Sequence, residues 1–337
     1  MTAKILFSSK KIDSVTKEQL QKMLDRYNLG ELISFKQTEK GVMKQTIFVS
    51  STSGDYVLKG NPIYEGQFVE EKFFIDHLKA RTDIPVPVPY VLDEMKDIFG
   101  WPYAIMPRLP GVHFNDPKIE AAMTFNDRIR IARVLARALA EMHAWKSDIF
   151  GEFDPIHNTL RPFQGSYQNW LFNEIRFWLE DAKKYSGISQ ADKDWVEGLL
   201  ESSRNSFEEL QSAAFVMGDF KPENILLQPV EQDWNLCGII DFTNSYFGDP
   251  IADLAKITVL YLDKGEEEFV RHLLSEYAKL TNANVALKER LIIHILYRKV
   301  LDWGCAYAIN NVTWSKELSF KEWASEFIDN KLLGLIN

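Results

Sequence analysis

Two short segments constrain this chain more than anything else in it: VMGDFKPENILL at 216–227 and GIIDFTNSYFGDPIADLA at 238–255. In the first, apolar residues lead into Gly218-Asp219 and resume at Ile225. A polar turn is thus held between two buried anchors, with Pro222 stiffening it. Asp219 and Asn224 stand five residues apart, too far to be neighbours along one strand but suited to opposite sides of a compact loop. In the second segment, Cys237 to Ile240 reads as a buried strand with Asp241 at its carboxyl end. There the strand holds the backbone and the loop leaves the side chain accessible.

A carboxylate and an amide oxygen form a hard, oxygen-only pair that suits magnesium shared with phosphates. One further carboxylate beside an attacking hydroxyl can orient it and receive its proton. Phosphoryl transfer needs alignment and neutralisation of phosphate charge more than covalent work. Asp219, Asn224 and Asp241 can divide these tasks. Each alone would read as a turn residue bonding to its own backbone; the ordered pair of segments favours chemistry.

Composition narrows the alternatives. A 337-residue chain with 46% hydrophobic residues can fill two lobes around a cleft. A net charge of -9 speaks against a nucleic-acid partner. Cys237 and Cys305 are the two cysteines, without ligand-spaced partners, which fits a reducing cytoplasm better than a disulfide framework or a zinc site. The N-terminus does not read as a signal peptide, and no membrane span is expected. Zinc-peptidase spacing, a Gly-x-Ser-x-Gly elbow and a P-loop are all missing from the sequence.

Along the chain, a helix is expected over 16–27, then strands LISFKQT, QTIFVSS and DYVLKGN, with a Thr52–Asp55 hairpin connection. A helix at 68–79 precedes IPVPVPYVLD, whose prolines favour extended chain, and PYAIM reads as a further strand. Residues 107–112 are the expected hinge between a strand-rich lobe at 1–106 and a helical lobe at 113–337. Helices are expected there at about 124–145, 168–183, 191–212, 264–280, 286–309 and 319–331. Asp249-Pro250 reads as a helix N-cap and first-turn proline, with Asp253 in the first turn.

MGDFKPENILL resembles the catalytic loop of aminoglycoside phosphotransferases, choline kinases and their relatives, and IIDFTNSYFGDPIADLA resembles their metal-binding segment. A weaker likeness extends over roughly 15–330, and FGEFDPIHNTLRPFQGSYQNWLFNEI is similar to an insertion of hygromycin-type kinases. The resemblance implies an α+β, bilobal protein-kinase-like fold, with a small antiparallel-sheet lobe and a larger, mainly helical one. It implies Asp219 as catalytic base or hydroxyl-orienting group, and Asn224 and Asp241 as ligands of a magnesium ion (Mg2+) bridging the phosphates of ATP or GTP. Two departures stand out. Met217 occupies a place where the family usually has His, so the loop must be braced from elsewhere, and Lys221 replaces another common His. An ammonium at Lys221 can reach the transferring phosphate, against the alternative of a solvated loop lysine.

On the nucleotide side, Lys59 ends the DYVLK strand and can clamp phosphates if a carboxylate holds it. The resemblance implies such a lysine–glutamate pair; Glu71 or Glu70 is the partner, and spacing to Leu78 favours Glu71. The turn with Gly41 and Lys44 would cover the phosphates, and the base would lie against Ala104, Ile105 and Met106, with backbone groups of Met106 to Arg108 supplying its hydrogen bonds. His143 is expected to be a buried brace under the catalytic loop.

Asp241 and the Gly-Asp-Pro at 248–250 are too close for a peptide-binding activation segment, so the acceptor is expected to be a small alcohol. Candidate pocket walls are Trp170, Glu174, Phe177 and Trp178, facing Tyr297, Asp302, Trp303 and Tyr307, although such aromatic stripes also build cores. Aromatic faces and acids would favour a cationic or ring-containing acceptor. An aminoglycoside or related antibiotic leads, with a choline-like amino alcohol or a sugar as alternatives. A catalytically silent kinase-like interaction protein is the competing class.

Overall fold

The structure is a computed structural model that describes residues 15–38, 46–208, 210–231, 233–282 and 287–332. It is bilobal. The smaller lobe begins with helix α1 (Lys17–Arg26), whose Thr16 and Gln19 cap each other's backbone and whose Leu20, Met23 and Leu24 are buried. Strands β1 (Leu32–Gln37), β2 (Thr46–Ser51) and β3 (Gly54–Gly60) follow, then helix α2 (Gln67–Arg81) and strands β4 (Val91–Asp93) and β5 (Tyr103–Pro107). The sheet is antiparallel in the order β1-β2-β3-β5-β4, and its register sets Lys59 opposite Ala104 and Val57 opposite Met106. Alternation in β2, with Ile47 and Val49 buried, turns one face of the sheet onto α1.

Helix α2 behaves differently from the sheet it follows. Its Phe68, Phe74, Ile75 and Leu78 belong to the core of the larger lobe, not to the α1 cluster. Phe73 stacks on Phe153 at 4.1 Å between centroids, and Phe74 meets Phe215 at 5.5 Å and Phe247 at 6.2 Å. The proline-rich stretch after α2 is extended, and the Pro85 carbonyl accepts a hydrogen bond from the Ile239 N–H at 2.9 Å. The lobes therefore share an apolar seam as well as a covalent crossing.

That crossing leaves β5 at Pro107 and is pinned where Val112 and Leu227 exchange backbone hydrogen bonds of 2.8 and 2.9 Å. The larger lobe contains helices α3 (Pro117–Ala122), α4 (Phe125–His143), α5 (Tyr167–Ala182), α6 (Gln190–Ser202), α7 (Ala252–Asp263), α8 (Glu267–Thr281), α9 (Leu287–Ala308) and α10 (Phe320–Ser325). Its short strands are β6 (Lys146–Ser147), β7 (Gly151–Asp154), β8 (Thr159–Pro162), β9 (Ala213–Val216) and β12 (Tyr246–Gly248), in the antiparallel order β6-β9-β12-β7-β8. A separate hairpin pairs β10 (Ile225–Val230) with β11 (Asp233–Ile239). No helix among the described residues is long and apolar enough to cross a membrane.

Several expectations are corrected. The helix expected to reach residue 212 ends at Ser202 and gives way to a 3-10 turn at Arg204–Phe207. The last helix is α-helical only to Ser325, then widens into a π turn at Glu326–Leu332. Helix α7 is regular only from Ala252, with Asp249 just ahead of it: Oδ1 caps the Ile251 N–H at 3.2 Å while Oδ2 meets His294 at 3.0 Å. The 151–162 segment, expected only as an insertion, is a β-hairpin that completes the second sheet.

The seam predicts that α2 is held mainly from the larger lobe. Phe74→Ala should destabilise the protein by about 3–5 kcal/mol, read as a lowered urea midpoint at unchanged slope, despite Phe74 lying in the N-terminal part of the chain.

Candidate active site

Strand β9 delivers the 217–224 loop, and the bracket that holds it comes from α7. The buried Asp253 carboxylate accepts the Met217 N–H at 2.7 Å and the Gly218 N–H at 2.8 Å. Its Oδ2 also lies 3.1 Å from His143 Nε2, while His143 Nδ1 is 2.8 Å from the Tyr277 hydroxyl. A carboxylate only accepts, so Nε2 carries a proton toward Asp253. The Ser245 hydroxyl completes the bracket by donating to the Met217 carbonyl at 3.2 Å. This is the external bracing that Met217 demands, and His143 occupies the supporting position beneath the loop.

Gly218 is required by the same geometry. Its φ is +77°, and a Cβ there would stand 2.1 Å from the Asn244 carbonyl oxygen. Beyond it Asp219 is buried, and a 3-10 turn at Pro222–Asn224 folds the loop back. Asn224 donates from Nδ2 to the Asp219 carbonyl at 2.9 Å and to Asp219 Oδ2 at 3.1 Å. With its amide hydrogens spent on Asp219, its Oδ1 is the atom available to a ligand.

Two ammonium groups grip Asp219. Lys221 Nζ is 2.6 Å from Oδ2, and Lys256 Nζ, from α7, pairs with Oδ1. Burial opposes the charge on Asp219, but Lys256 and then Lys221 outweigh it and hold the carboxyl below the ordinary range. Lys221 is raised: burial lowers it, and Asp219 followed by Asp241 raise it more. Asp219 thus stays ionised at neutral pH. Lys256 had no signal in the sequence beyond lying one helical turn after Asp253, on the helix that braces the loop.

Asp241 follows β11 with φ +69°, a left-handed conformation that costs a non-glycine residue about 1–2 kcal/mol. Thr243 Oγ1 donates to its Oδ1 at 2.8 Å. Across the cleft, Lys59 Nζ lies 2.6 Å from Glu71 Oε1, and the Tyr90 hydroxyl donates to Glu71 Oε2 at 2.7 Å. Burial lowers Lys59, but Glu71 and then Asp241 raise it above an ordinary lysine. Asp241 therefore supports the charge of Lys59 from one lobe and of Lys221 from the other. Glu71, not Glu70, pairs with Lys59; Glu70 instead accepts from Tyr64 at 2.8 Å.

The remaining expected positions divide. Gly41 and Lys44 lie outside the described residues. Met106 is buried in β5, opposite Val57. The Arg108 N–H is taken by the Asp55 carbonyl at 2.9 Å, and its guanidinium lies 4.3 Å over the Phe48 ring, so Arg108 secures the hairpin rather than offering that N–H to a base. Among the pocket candidates, Trp303 is core, donating to Ser186 at 2.8 Å and packed on Trp314 and Trp323. Phe177 is exposed, Trp170 stacks on Phe163 at 3.9 Å, and Glu174 accepts from Trp178 at 3.1 Å. The chain from 242 to 248 is a tight turn running into β12 between β9 and β7, with Phe242, Ser245 and Phe247 buried; no peptide platform fits there.

Among the described residues no group of three or more His, Cys, Asp or Glu could hold a metal alone. The Asn224 backbone carbonyl accepts the Ile240 N–H at 3.0 Å, so an amide and a carboxylate, oxygen ligands of the hard type that magnesium takes, stand on adjoining segments.

The model of the phosphotransferase enzyme family matches residues 34–287, well over half of the 337. The chain belongs to that family. It is 25% identical over 255 residues to acyl-CoA dehydrogenase family member 10 of Mus musculus, covering 72% of this chain and 22% of that protein. It is 30% identical over 179 residues to a homoserine kinase of Paraburkholderia phytofirmans, covering 48% of this chain and 50% of that protein. The chain thus spans between about a fifth and a half of these relatives. In fold it is similar to a GDP complex of an aminoglycoside 2'-phosphotransferase, with a TM-score of 0.63 at 15% identity, covering 95% of this chain and 99% of that one.

Two predictions come from this geometry. Gly218→Ala should cost about 2–3 kcal/mol through strain and the clash with Asn244, measured by urea unfolding. Burial pushes Glu70 up to about 7, opposed by the Tyr64 hydrogen bond. A carboxyl raised in the folded state contributes stability that is full below its unfolded value and is lost as pH rises through the folded one. Between pH 5 and 8 the wild-type Tm should fall relative to that of Glu70→Gln; parallel Tm curves would contradict this assignment.

Proposed function

We propose that the protein is a magnesium-dependent phosphotransferase that moves the terminal phosphoryl group of ATP or GTP onto a hydroxyl of a small molecule. The observation that carries this reading is Asp241, which bears on both Lys59 and Lys221 across one cleft, beside Asn224 and Asp219. Family membership supports it. Asn224 and Asp241 would hold the metal, and the bound ion would supply charge neutralisation on the donor phosphates.

Lys59, fixed by Glu71 and Tyr90, binds the donor phosphates from the smaller lobe. Asp219 accepts a hydrogen bond from the acceptor hydroxyl and orients it for in-line attack. Each carboxylate oxygen has two lone-pair directions, so the Lys221, Lys256 and Asn224 contacts leave room for that hydroxyl. The acceptor oxygen forms the new bond to phosphorus as the bond to the leaving nucleoside diphosphate breaks, and the hydroxyl proton passes to Asp219 and on to solvent. A depressed pKa makes Asp219 a weak base, which suits a loose transition state in which the nucleophile needs orientation more than early deprotonation. Lys221 sets positive charge beside the transferring group.

The acceptor is a small alcohol on this reading, because the short 242–248 turn, anchored by buried Phe242, Ser245 and Phe247, offers no track for a peptide. The name homoserine kinase denotes an amino-acid alcohol and the name aminoglycoside phosphotransferase an aminoglycoside, so both classes belong in a screen. Magnesium-dependent release of nucleoside diphosphate should require an added acceptor, with ATP and GTP compared directly. Asp219→Ala and Asp241→Ala should each lower turnover about a hundredfold or more. If calorimetry finds no binding of nucleotide with magnesium to the intact protein, the reading fails and a silent scaffold takes its place.

A further inference from the structure

The segment between β3 and α2 leaves the smaller lobe and lies on the larger one. Gln67 Oε1 accepts the Ile63 N–H at 2.8 Å and so folds residues 63–67 into a tight turn. At Gly66, where φ is +88°, an added Cβ would stand 2.4 Å from Cγ of Pro155, at the turn of the β7–β8 hairpin. Tyr64, in the same turn, reaches the Asp241 loop. Its Oη stands 2.8 Å from Glu70 Oε2 and 3.3 Å from the Thr243 carbonyl oxygen, while Thr243 Oγ1 donates to Asp241 Oδ1 at 2.8 Å. One tyrosine thus links the smaller lobe, the first turn of α2 and the segment that carries Asp241.

A hydroxyl carries one hydrogen, and both oxygens beside this one are acceptors while Glu70 is ionised. The two then compete, and the charged acceptor takes the hydrogen. A protonated Glu70 donates to Tyr64 Oη instead, which frees the Tyr64 hydrogen for Thr243. Both contacts are then satisfied at once, and the bond between the lobes is made. The surroundings favour that neutral form. Glu152 of β7 and Glu71 of α2 act on Glu70, and Glu71 and Asp241 act on Tyr64 as well. The nearby cations are engaged elsewhere, Lys59 with Glu71 and Arg161 with Glu152. Burial, with Glu152 and Glu71, raises Glu70 to about 7 against the Tyr64 hydrogen bond.

We propose that Tyr64 is a positioning residue for the Asp241 loop, and that the proton on Glu70 decides whether Tyr64 holds that loop. With Glu70 protonated, the Tyr64 hydroxyl fastens the smaller lobe to the Thr243 carbonyl and steadies Asp241 opposite Lys59. Loss of the proton draws the hydroxyl back to Glu70 and releases the loop. Because the Glu70 pKa is raised in the folded protein, the latch is closed below the ordinary carboxylate range and opens as pH climbs through about 7. Its effect on nucleotide rests on the phosphotransferase reading, in which Asp241 holds the metal; the latch itself does not.

The test titrates the full chain with the magnesium complex of a non-hydrolysable ATP analogue, by calorimetry, at about pH 6 and about pH 8.5. Glu70→Gln offers an N–H to Tyr64 at every pH, so its latch stays closed. The ratio of wild-type Kd to Glu70→Gln Kd cancels the ionisation of the analogue's own phosphates. That ratio should climb from about 1 at the lower pH to about 5 at the higher, the worth of one hydrogen bond. Tyr64→Phe should bind about fivefold more weakly than Glu70→Gln at both. Tyr64 is 39% exposed, so removing its hydroxyl leaves the core intact. Hydrogen exchange on the nucleotide-free protein, corrected for intrinsic rates, reads the latch directly. Amides of 61–66 and 242–245 should exchange about fivefold faster at the higher pH in the wild type, and equally fast at both in Tyr64→Phe.

A Kd ratio that stays flat with pH overturns the proposal, as does a Tyr64→Phe protein that binds like Glu70→Gln. Corrected exchange that responds to pH in Tyr64→Phe as it does in the wild type overturns it too, because the hydroxyl would then play no part. Exchange that follows the expected pattern in a protein that binds no nucleotide supports the latch and counts against the phosphotransferase reading, so the two failures are distinct.

Discussion

One buried carboxylate organises the centre of this molecule. Asp253 takes the N–H groups of Met217 and Gly218 and is in turn held by His143, which leans on Tyr277. A buried anion is costly unless its lone pairs are filled, and here three donors from two separate chain segments satisfy it, with Tyr277 bearing on His143 from a third. The effect is to lock the turn after β9 in a conformation that only glycine tolerates at 218, and so to aim Asp219 into the cleft. Helix α7 also carries Lys256, so the element that braces the loop also places a cation on its central carboxylate.

The second constraint is the docking of α2. A helix following three strands of a small sheet would ordinarily be expected to bury its apolar face on that sheet. Here Phe73 and Phe74 bury theirs against Phe153, Phe215 and Phe247 of the other lobe. Glu71 lies on the same helix, and Tyr90 fixes its second oxygen. The Lys59–Glu71 ion pair therefore spans from a strand of the smaller lobe to a helix seated in the core of the larger one. That arrangement makes the position of Lys59 sensitive to how the lobes meet, and brings it within the field of Asp241.

The readable parts of the sequence were those with local physical causes. The strand reading of QTIFVSS and the prolines between 85 and 89 each rest on local backbone preference, and the elements stand where those signals place them. Boundaries failed where tertiary demands overrode local ones. Asp249 has the form of a helix cap and its Oδ1 accepts the Ile251 N–H, yet the regular helix starts only at Ala252 and the other oxygen meets His294, forty-five residues later. Arg108 lies in the expected base-contacting stretch, yet its N–H closes the β3 edge against Asp55. The pocket wall read from helical spacing split in the same way, with Trp303 sealed in a tryptophan cluster while Phe177 faces solvent.

Sequence alone determined the family, the two lobes and the chemical types of the central residues, because spacing and side-chain chemistry are one-dimensional facts. It also marked Met217 as a place where bracing had to come from outside the loop. Only the tertiary structure decided which group supplies that bracing, which glutamate meets Lys59, and that Lys256 closes on Asp219. Those are contacts between segments twelve to thirty-seven residues apart, set by packing and charge balance across the cleft rather than by any local pattern.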